Sequence, residues 1–68
     1  MTFEDLSNIE LSEQIDLWIR GERDRSIIKR RLIDRICYEP LAEEFDLSVS
    51  QIKKIVYKSE QRLYSHIS

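Results

Sequence analysis

The sequence predicts a small all-α domain built from four helices. Its 68 residues suffice for one domain, 1–68, and include a single Gly and a single Pro, too few turn residues for a small all-β fold. Apolar residues recur at helical spacing, and two capping signatures precede such runs. A domain of this size buries only about 60% of the surface of its unfolded chain. We therefore expect a protein that acts through its surface, without an enclosed catalytic cavity.

The first helix is predicted over about 8–20. Ser7 and Glu10 stand three residues apart, the spacing of a capping box in which each side chain bonds to the backbone of the other. Gly21 should end the helix, because glycine accepts the left-handed backbone that follows many helices. A start at Ser12 is the alternative and makes the helix one turn shorter. The apolar stripe, which we assign mainly to the core, comprises Leu11, Ile15, Trp18 and Ile19.

The second helix is predicted over about 24–37. At about 100° per residue its apolar positions spread over more than half of the circumference, so several elements should pack around it. Lys29 falls inside this arc, and we expect its stem to lie on apolar surface while its ammonium reaches water. The apolar positions are Ile27, Ile28, Leu32, Ile33 and Ile36.

The third helix is short and predicted over about 39–45. Leu41, Ala42 and Phe45 have the spacing of one apolar helix face. Pro40 fits only in the first turn, where a missing amide proton breaks no helical hydrogen bond. Cys37, just before this segment, is a poor capping residue.

The fourth helix is predicted over about 49–66 and has two distinct faces. Ser48 and Gln51 repeat the spacing of a capping box at its start. One face is assigned to the core and comprises Ile52, Ile55, Val56, Ser59, Leu63 and Ile67. The opposite face is polar, basic and aromatic and comprises Ser50, Lys53, Lys54, Tyr57, Lys58, Gln61 and Tyr64.

The third and fourth helices have the spacing of a C-terminal helix-turn-helix motif. Ala42 stands where two such helices cross closely, and Ile52 stands where the second helix packs back on the first. Asp46 takes the tight-turn position and should adopt a positive φ, which Asp tolerates better than most residues. The remaining core positions of the motif are Leu41, Phe45, Leu47 and Ile55.

Two runs of residues resemble a known family. They are Arg23-Asp24-Arg25-Ser26-Ile27-Ile28 and Tyr38-Glu39-Pro40-Leu41-Ala42-Glu43-Glu44-Phe45-Asp46-Leu47-Ser48-Val49-Ser50-Gln51-Ile52-Lys53. Over residues 22–64 the chain is similar to the C-terminal promoter-reading domain of bacterial sigma factors, in particular to small stand-alone sigma-like regulators of phages and mobile elements. The family commonly has Gly-Leu-Ser-Tyr where this chain has Arg35-Ile36-Cys37-Tyr38. The separate domain that melts the promoter is missing, so we do not expect a complete sigma factor.

The resemblance implies that the fourth helix enters the major groove of DNA. Candidates for base contacts are the central residues of its exposed face, Ser50, Lys54 and Tyr57. Candidates for phosphate contacts are Lys53, Lys58 and Arg62, followed by Arg23, Arg30 and Arg31 on the preceding helix. Gln51 has two interpretations of equal weight, because it can bind adenine or complete the capping box.

Charge alternates in four blocks along the chain. Residues 1–19 carry minus five, 20–37 plus four, 38–47 minus four and 48–68 plus three, which sum to the net charge of minus two. The acidic third helix would repel phosphates, so its acids should face away from DNA or toward a protein. The alternative function is therefore a protein-interaction module that uses its acidic half and Trp18 to dock on RNA polymerase or another regulator.

Other classes of function have no support in the sequence. No catalytic set appears, so we expect no enzyme and no cofactor. Cys37 and His66 are too few for a zinc site, and a single cysteine forms no intrachain disulfide. No apolar run approaches the ~18 residues of a membrane span, and the acidic N-terminus is unlike a signal peptide. We expect a cytoplasmic protein, at the nucleoid when bound to double-stranded DNA, whose affinity a homodimer or a partner could raise.

Overall fold

The protein is an all-α molecule of four helices over the residues that the structure describes. This structure, a computed structural model, describes residues 6–67, without the side chain of residue 67. The helices are α1 (Asn8–Trp18), α2 (Glu22–Leu32), α3 (Tyr38–Phe45) and α4 (Val49–Ile67). Residues 6–67 contain no strand. The predicted fold class and the order of the four helices are confirmed.

Helices α2 and α4 form the centre of the molecule. α1 packs against both of them, and α3 also packs against both. The molecule measures 31 × 18 × 18 Å, and its long dimension is close to the length of about 28 Å expected for the 19 residues of α4.

One apolar core holds the helices together. Each fully buried Ile or Leu contributes about 1.5–3 kcal/mol relative to an exposed one. The buried apolar residues are Leu11, Ile15, Ile19, Ile27, Ile28, Leu41, Ala42, Ile52, Val56 and Leu63. Ser59 is buried with them, as predicted from its place on the apolar face of α4. The predicted core position at residue 67 lies outside the described side chains.

The predicted capping residues begin α1 and α4. Ser7 Oγ accepts a hydrogen bond of 3.1 Å from the Glu10 amide, but within residues 6–67 the predicted return bond from the Ser7 amide to the Glu10 side chain is not formed. At the start of α4 the box is reciprocal, because Gln51 Oε1 accepts from the Ser48 amide at 2.9 Å while Ser48 Oγ accepts from the Gln51 amide at 3.1 Å. Together these bonds satisfy amides that have no partner inside a helix.

The ends of α1 and α2 differ from the prediction. α1 stops at Trp18 rather than 20 because Ile19 is already extended, and α2 starts at Glu22 rather than 24, directly after Gly21 with φ of 87°. α2 also stops at Leu32 rather than 37, because Arg35 takes a left-handed conformation with φ of 58°. The apolar spacing misled the prediction because Ile33 and Ile36 pack against the core from the connecting loop.

Between α3 and α4 the turn falls at Asp46, as predicted, and the outer ends of the two helices each shift by one residue. α3 begins one residue earlier than predicted, after Cys37, whose side chain makes no capping hydrogen bond, and Pro40 lies in the first turn. Asp46 has the predicted positive φ, 55°. The Leu47 amide donates to the Ala42 carbonyl at 2.9 Å, which closes the turn. The last helix ends one residue after the predicted 66, a difference without structural meaning.

Candidate nucleic-acid interface

The outward face of α4 carries all seven predicted binding residues of that helix. Three cations stand four residues apart, so they follow one side of the helix over about 12 Å. Tyr57, with 53% of its surface exposed, lies beside this row. The seven residues are exposed: Ser50, Gln51, Lys53, Lys54, Tyr57, Lys58 and Arg62.

The cations of α4 are not neutralised by neighbouring acids. Among residues 6–67, no ion pair within 4.0 Å includes Lys53, Lys54, Lys58 or Arg62. The acid of this helix, Glu60, is half-buried, and its burial raises the pKa of its carboxyl above the ordinary value. The exposed face of α4 is therefore a strip of positive charge on an acidic protein.

A cluster around Tyr38 joins α2, α3 and α4 beside this face. The Arg31 Cζ lies 4.5 Å from the centroid of the Tyr38 ring, and the Lys53 Nζ lies 5.6 Å from it. Arg31 Nη1 also donates to the Ile36 carbonyl at 3.1 Å. The pKa of Tyr57 is raised above its ordinary value, chiefly by a hydrogen bond with Tyr38. We call these four side chains, Arg31, Tyr38, Lys53 and Tyr57, the Tyr38 cluster.

The sequence did not predict the role of Tyr38. Tyr38 stands one turn before Leu41 and Ala42, so the spacing placed it on the inner face of α3. Its ring contacts Arg31 of α2 and Lys53 of α4, which lie on two other helices. Such contacts follow from the packing of the helices, so local spacing carried no signal for them.

The arginines predicted as further phosphate contacts make contacts within the protein. Arg30 Nε lies 2.8 Å from Glu44 Oε1, and its Nη1 lies 3.8 Å from Asp34 Oδ2. The first of these contacts ties α2 to α3. Arg23 Nε lies 3.5 Å from Asp24 Oδ1, and its side chain is exposed on the first turn of α2. Arg31 belongs to the Tyr38 cluster.

Gln51 takes the capping role. Its carboxamide oxygen accepts the Ser48 amide, which uses the atom that would accept from the amino group of adenine. Of the two interpretations of Gln51, an adenine contact and a capping residue, the observed hydrogen bonds with Ser48 are those of the capping residue.

The acidic side chains lie mainly on α1 and α3. Glu39 and Glu43 are exposed on α3, while Glu44 pairs with Arg30. On the outward side of α1, Ile9 and Leu17 are 74% and 68% exposed. Large aliphatic side chains exposed to this degree among acids form a second surface that differs in chemistry from α4.

The end of α1 contacts the end of α4. The rings of Trp18 and His66 stack with centroids 3.7 Å apart and planes 2° from parallel. The Trp18 Nε1 donates to Gln14 Oε1 at 2.9 Å, so its polar atom has a partner within α1. Trp18 is half-buried and packs against the core, which agrees with its assignment to the core stripe.

The described residues provide neither a metal site nor a membrane span. In the part of the chain that the structure describes, no three His, Cys, Asp or Glu side chains are grouped as metal ligands. None of the four helices there is long and apolar enough to cross a bilayer. Comparison with known families, curated proteins and solved structures found no match to this chain.

Proposed function

We propose that this protein is a sequence-specific DNA-binding transcriptional regulator without enzymatic activity. In this proposal α3 and α4 form a helix-turn-helix and α4 lies in the major groove of double-stranded DNA. The observation that carries the proposal is the outward face of α4, where four cations have no ion-pair partner among the described residues. Such a face matches the negative charge of a phosphate backbone.

The residues of α4 divide into two groups by position. Ser50, Lys54 and Tyr57 lie along the centre of the exposed face, where side chains reach base edges. Lysine donates to the acceptors of guanine, and the Tyr ring packs on a thymine methyl. The flanking cations Lys58 and Arg62 bind phosphates, which fix the position of the helix on the duplex.

The turn before α4 supports this use of the helix. Asp46, with its left-handed backbone, ends α3, and only three residues separate α3 from α4. Ala42 is buried and small, so α3 and α4 can approach closely beside it. The pair Arg30–Glu44 neutralises one of the acids on α3, which lowers the repulsion between that helix and DNA.

A charge reversal on α4 tests the proposal. We expect Lys54→Glu to weaken binding at least tenfold, because it removes one base contact and adds a repulsive charge. Fluorescence anisotropy measures the affinity for short duplexes taken from the neighbourhood of the protein's own gene. The wild type should bind one of these duplexes far more tightly than the rest. The matched control is Arg20→Glu, which changes the net charge equally at an exposed residue between α1 and α2.

Equal losses in the two variants would mean that only the total charge matters, and no binding by the wild type at low salt would overturn the proposal. A single α4 contacts few base pairs, so we propose that a homodimer or a partner raises the affinity on the full site. On this account the protein works in the cytoplasm, at the nucleoid when bound.

A second candidate function rests on the outward side of α1. Ile9 and Leu17 are exposed there beside Glu13, which fits a basic and partly apolar protein surface. RNA polymerase or another regulator could supply such a surface. For this function we expect Leu17→Ser to abolish binding to purified polymerase in surface plasmon resonance, while Lys54→Glu leaves it intact. Trp18, which the sequence also suggested for this surface, is half-buried and has its ring stacked on His66, so the test is directed at Leu17.

A further inference from the structure

The Tyr38 cluster brings Arg31 of α2 and Lys53 of α4 to one aromatic ring on α3. Arg31 is fixed at its guanidinium by the bond to the Ile36 carbonyl, in the loop that follows α2. The same guanidinium lies over the Tyr38 ring. The ring in turn has the Lys53 ammonium within the range of about 6 Å over which a cation and an aromatic face attract each other.

This arrangement matters because a free lysine has a large conformational entropy. A Lys side chain carries about 2 kcal/mol of rotamer entropy, and binding must overcome part of it when the ammonium is fixed on a phosphate. Lys53 is exposed and has no acidic partner among the described residues, so the Tyr38 ring is what restricts it before binding.

We propose that Tyr38 is a positioning residue for DNA binding, which orients Lys53 on the first turns of α4 so that its phosphate contact fixes the register of the neighbouring base contacts. This inference rests on the proposed function. It assigns to α3 a part in sequence discrimination without any contact between Tyr38 and a base.

Positioning and charge have different signatures in a salt titration. The slope of log K against log salt counts the cations that meet phosphates, with about 0.9 per contact. Tyr38→Leu keeps every cation, so we expect an unchanged slope and a loss of about tenfold in the ratio of affinities for the preferred and a scrambled duplex. Lys53→Ala removes a cation, so the slope should fall by about 1.

A spectroscopic readout reports the contact itself without DNA. A proton held over an aromatic ring resonates upfield, so the side-chain protons of Lys53 should show this ring-current shift in the wild type. The shift should persist in Tyr38→Phe, which keeps the ring, and disappear in Tyr38→Leu. Tyr38→Phe also serves as the folding control, because it preserves the packing of this half-buried side chain.

The combined outcomes separate the positioning role of Tyr38 from DNA binding through α4. Loss of the shift and of discrimination in Tyr38→Leu, with both retained in Tyr38→Phe, supports the positioning role. Loss of the shift in Tyr38→Leu with full discrimination overturns the positioning role and leaves DNA binding intact. A wild type that lacks the shift also overturns the positioning role. If the wild type binds no duplex while its shift is present, the proposed function fails, and the positioning role falls with it although the contact is real.

Discussion

Among residues 6–67, two residues with a Cβ atom, Arg35 and Asp46, adopt the left-handed backbone conformation, and both lie in turns that follow helices. The sequence predicted this at Asp46, because the residue occupies the turn between two segments with clear helical spacing. It did not predict it at Arg35, because arginine has no preference for that conformation and the apolar spacing continues past it through Ile36. The local signal therefore located one turn and missed the other.

The strain at Arg35 predicts a stabilising substitution. A left-handed residue with a Cβ costs about 1–2 kcal/mol, and glycine avoids that cost while losing about 0.5–1 kcal/mol through its more flexible unfolded state. We expect Arg35→Gly to raise the free energy of unfolding by about 0.5–1 kcal/mol in urea denaturation. Arg35→Ala, the control, removes the same charge and keeps the strain. Equal effects of the two variants would contradict this prediction, because the strain at Arg35 would then be no larger than the cost of glycine's more flexible unfolded state.

Glu60 predicts a dependence of stability on pH. Burial raises the pKa of its carboxyl in the folded protein above the ordinary value of a glutamate, and the positive charge of Arg31 offsets this only in part. Below the unfolded pKa the group is protonated in both states and carries no penalty. As pH rises through the folded pKa, the buried charge forms and destabilises the fold.

We therefore expect Glu60→Gln to raise Tm near neutral pH and to have no effect at about pH 3.5, where both side chains are neutral. Thermal unfolding followed by circular dichroism at several pH values measures this. Lower stability of the variant at neutral pH would mean that the attraction to Arg31 outweighs the cost of burial.

At the scale of elements, helix starts were predicted better than helix ends. The starts of α1 and α4 depend on hydrogen bonds between residues three apart, which the sequence shows directly. The end of α2 depends on Ile36 donating its amide to the Arg30 carbonyl, six residues back, while its side chain packs on the core. Apolar spacing cannot distinguish a core residue on a helix from one on the loop that follows it.

The reciprocal cap of α4 predicts a loss of stability when it is removed. Ser48→Ala deletes the acceptor for the Gln51 amide, and such substitutions cost about 1 kcal/mol. For a domain of this size, that lowers Tm by about 4–8 °C. Ser48→Asp keeps an acceptor and should retain the wild-type Tm. An unchanged Tm in Ser48→Ala would show that packing alone fixes the start of α4.

The Tyr38 cluster lies beyond what the sequence alone predicts. The exposed face of α4 followed from helical spacing within one segment, whereas Arg31, Tyr38 and Lys53 meet only because three helices pack together. Two of these residues were predicted as separate phosphate contacts. Their shared aromatic partner became visible only in the packed molecule.

At the scale of the whole molecule, opposite charge blocks meet as the chain folds. The acidic α1 meets α2 through Asp16 and Lys29, whose charged atoms are 2.7 Å apart, and α2 meets the acidic α3 through Arg30 and Glu44. Exposed pairs of this kind contribute about 0–1 kcal/mol each, so they mainly affect the electric field of the surface. The block on α4 is the one whose cations remain without such pairs in residues 6–67.

The most direct test of DNA binding through α4 is an NMR titration of the isotopically labelled protein with a short duplex at low salt. We predict that the amide shifts concentrate on residues 50–62 of α4 and extend to Tyr38, while the outward side of α1 around Ile9 and Leu17 stays unchanged. Raising the salt concentration should reverse the shifts, because phosphate contacts weaken with salt. Shifts confined to α1, or no shifts at all, would contradict the account.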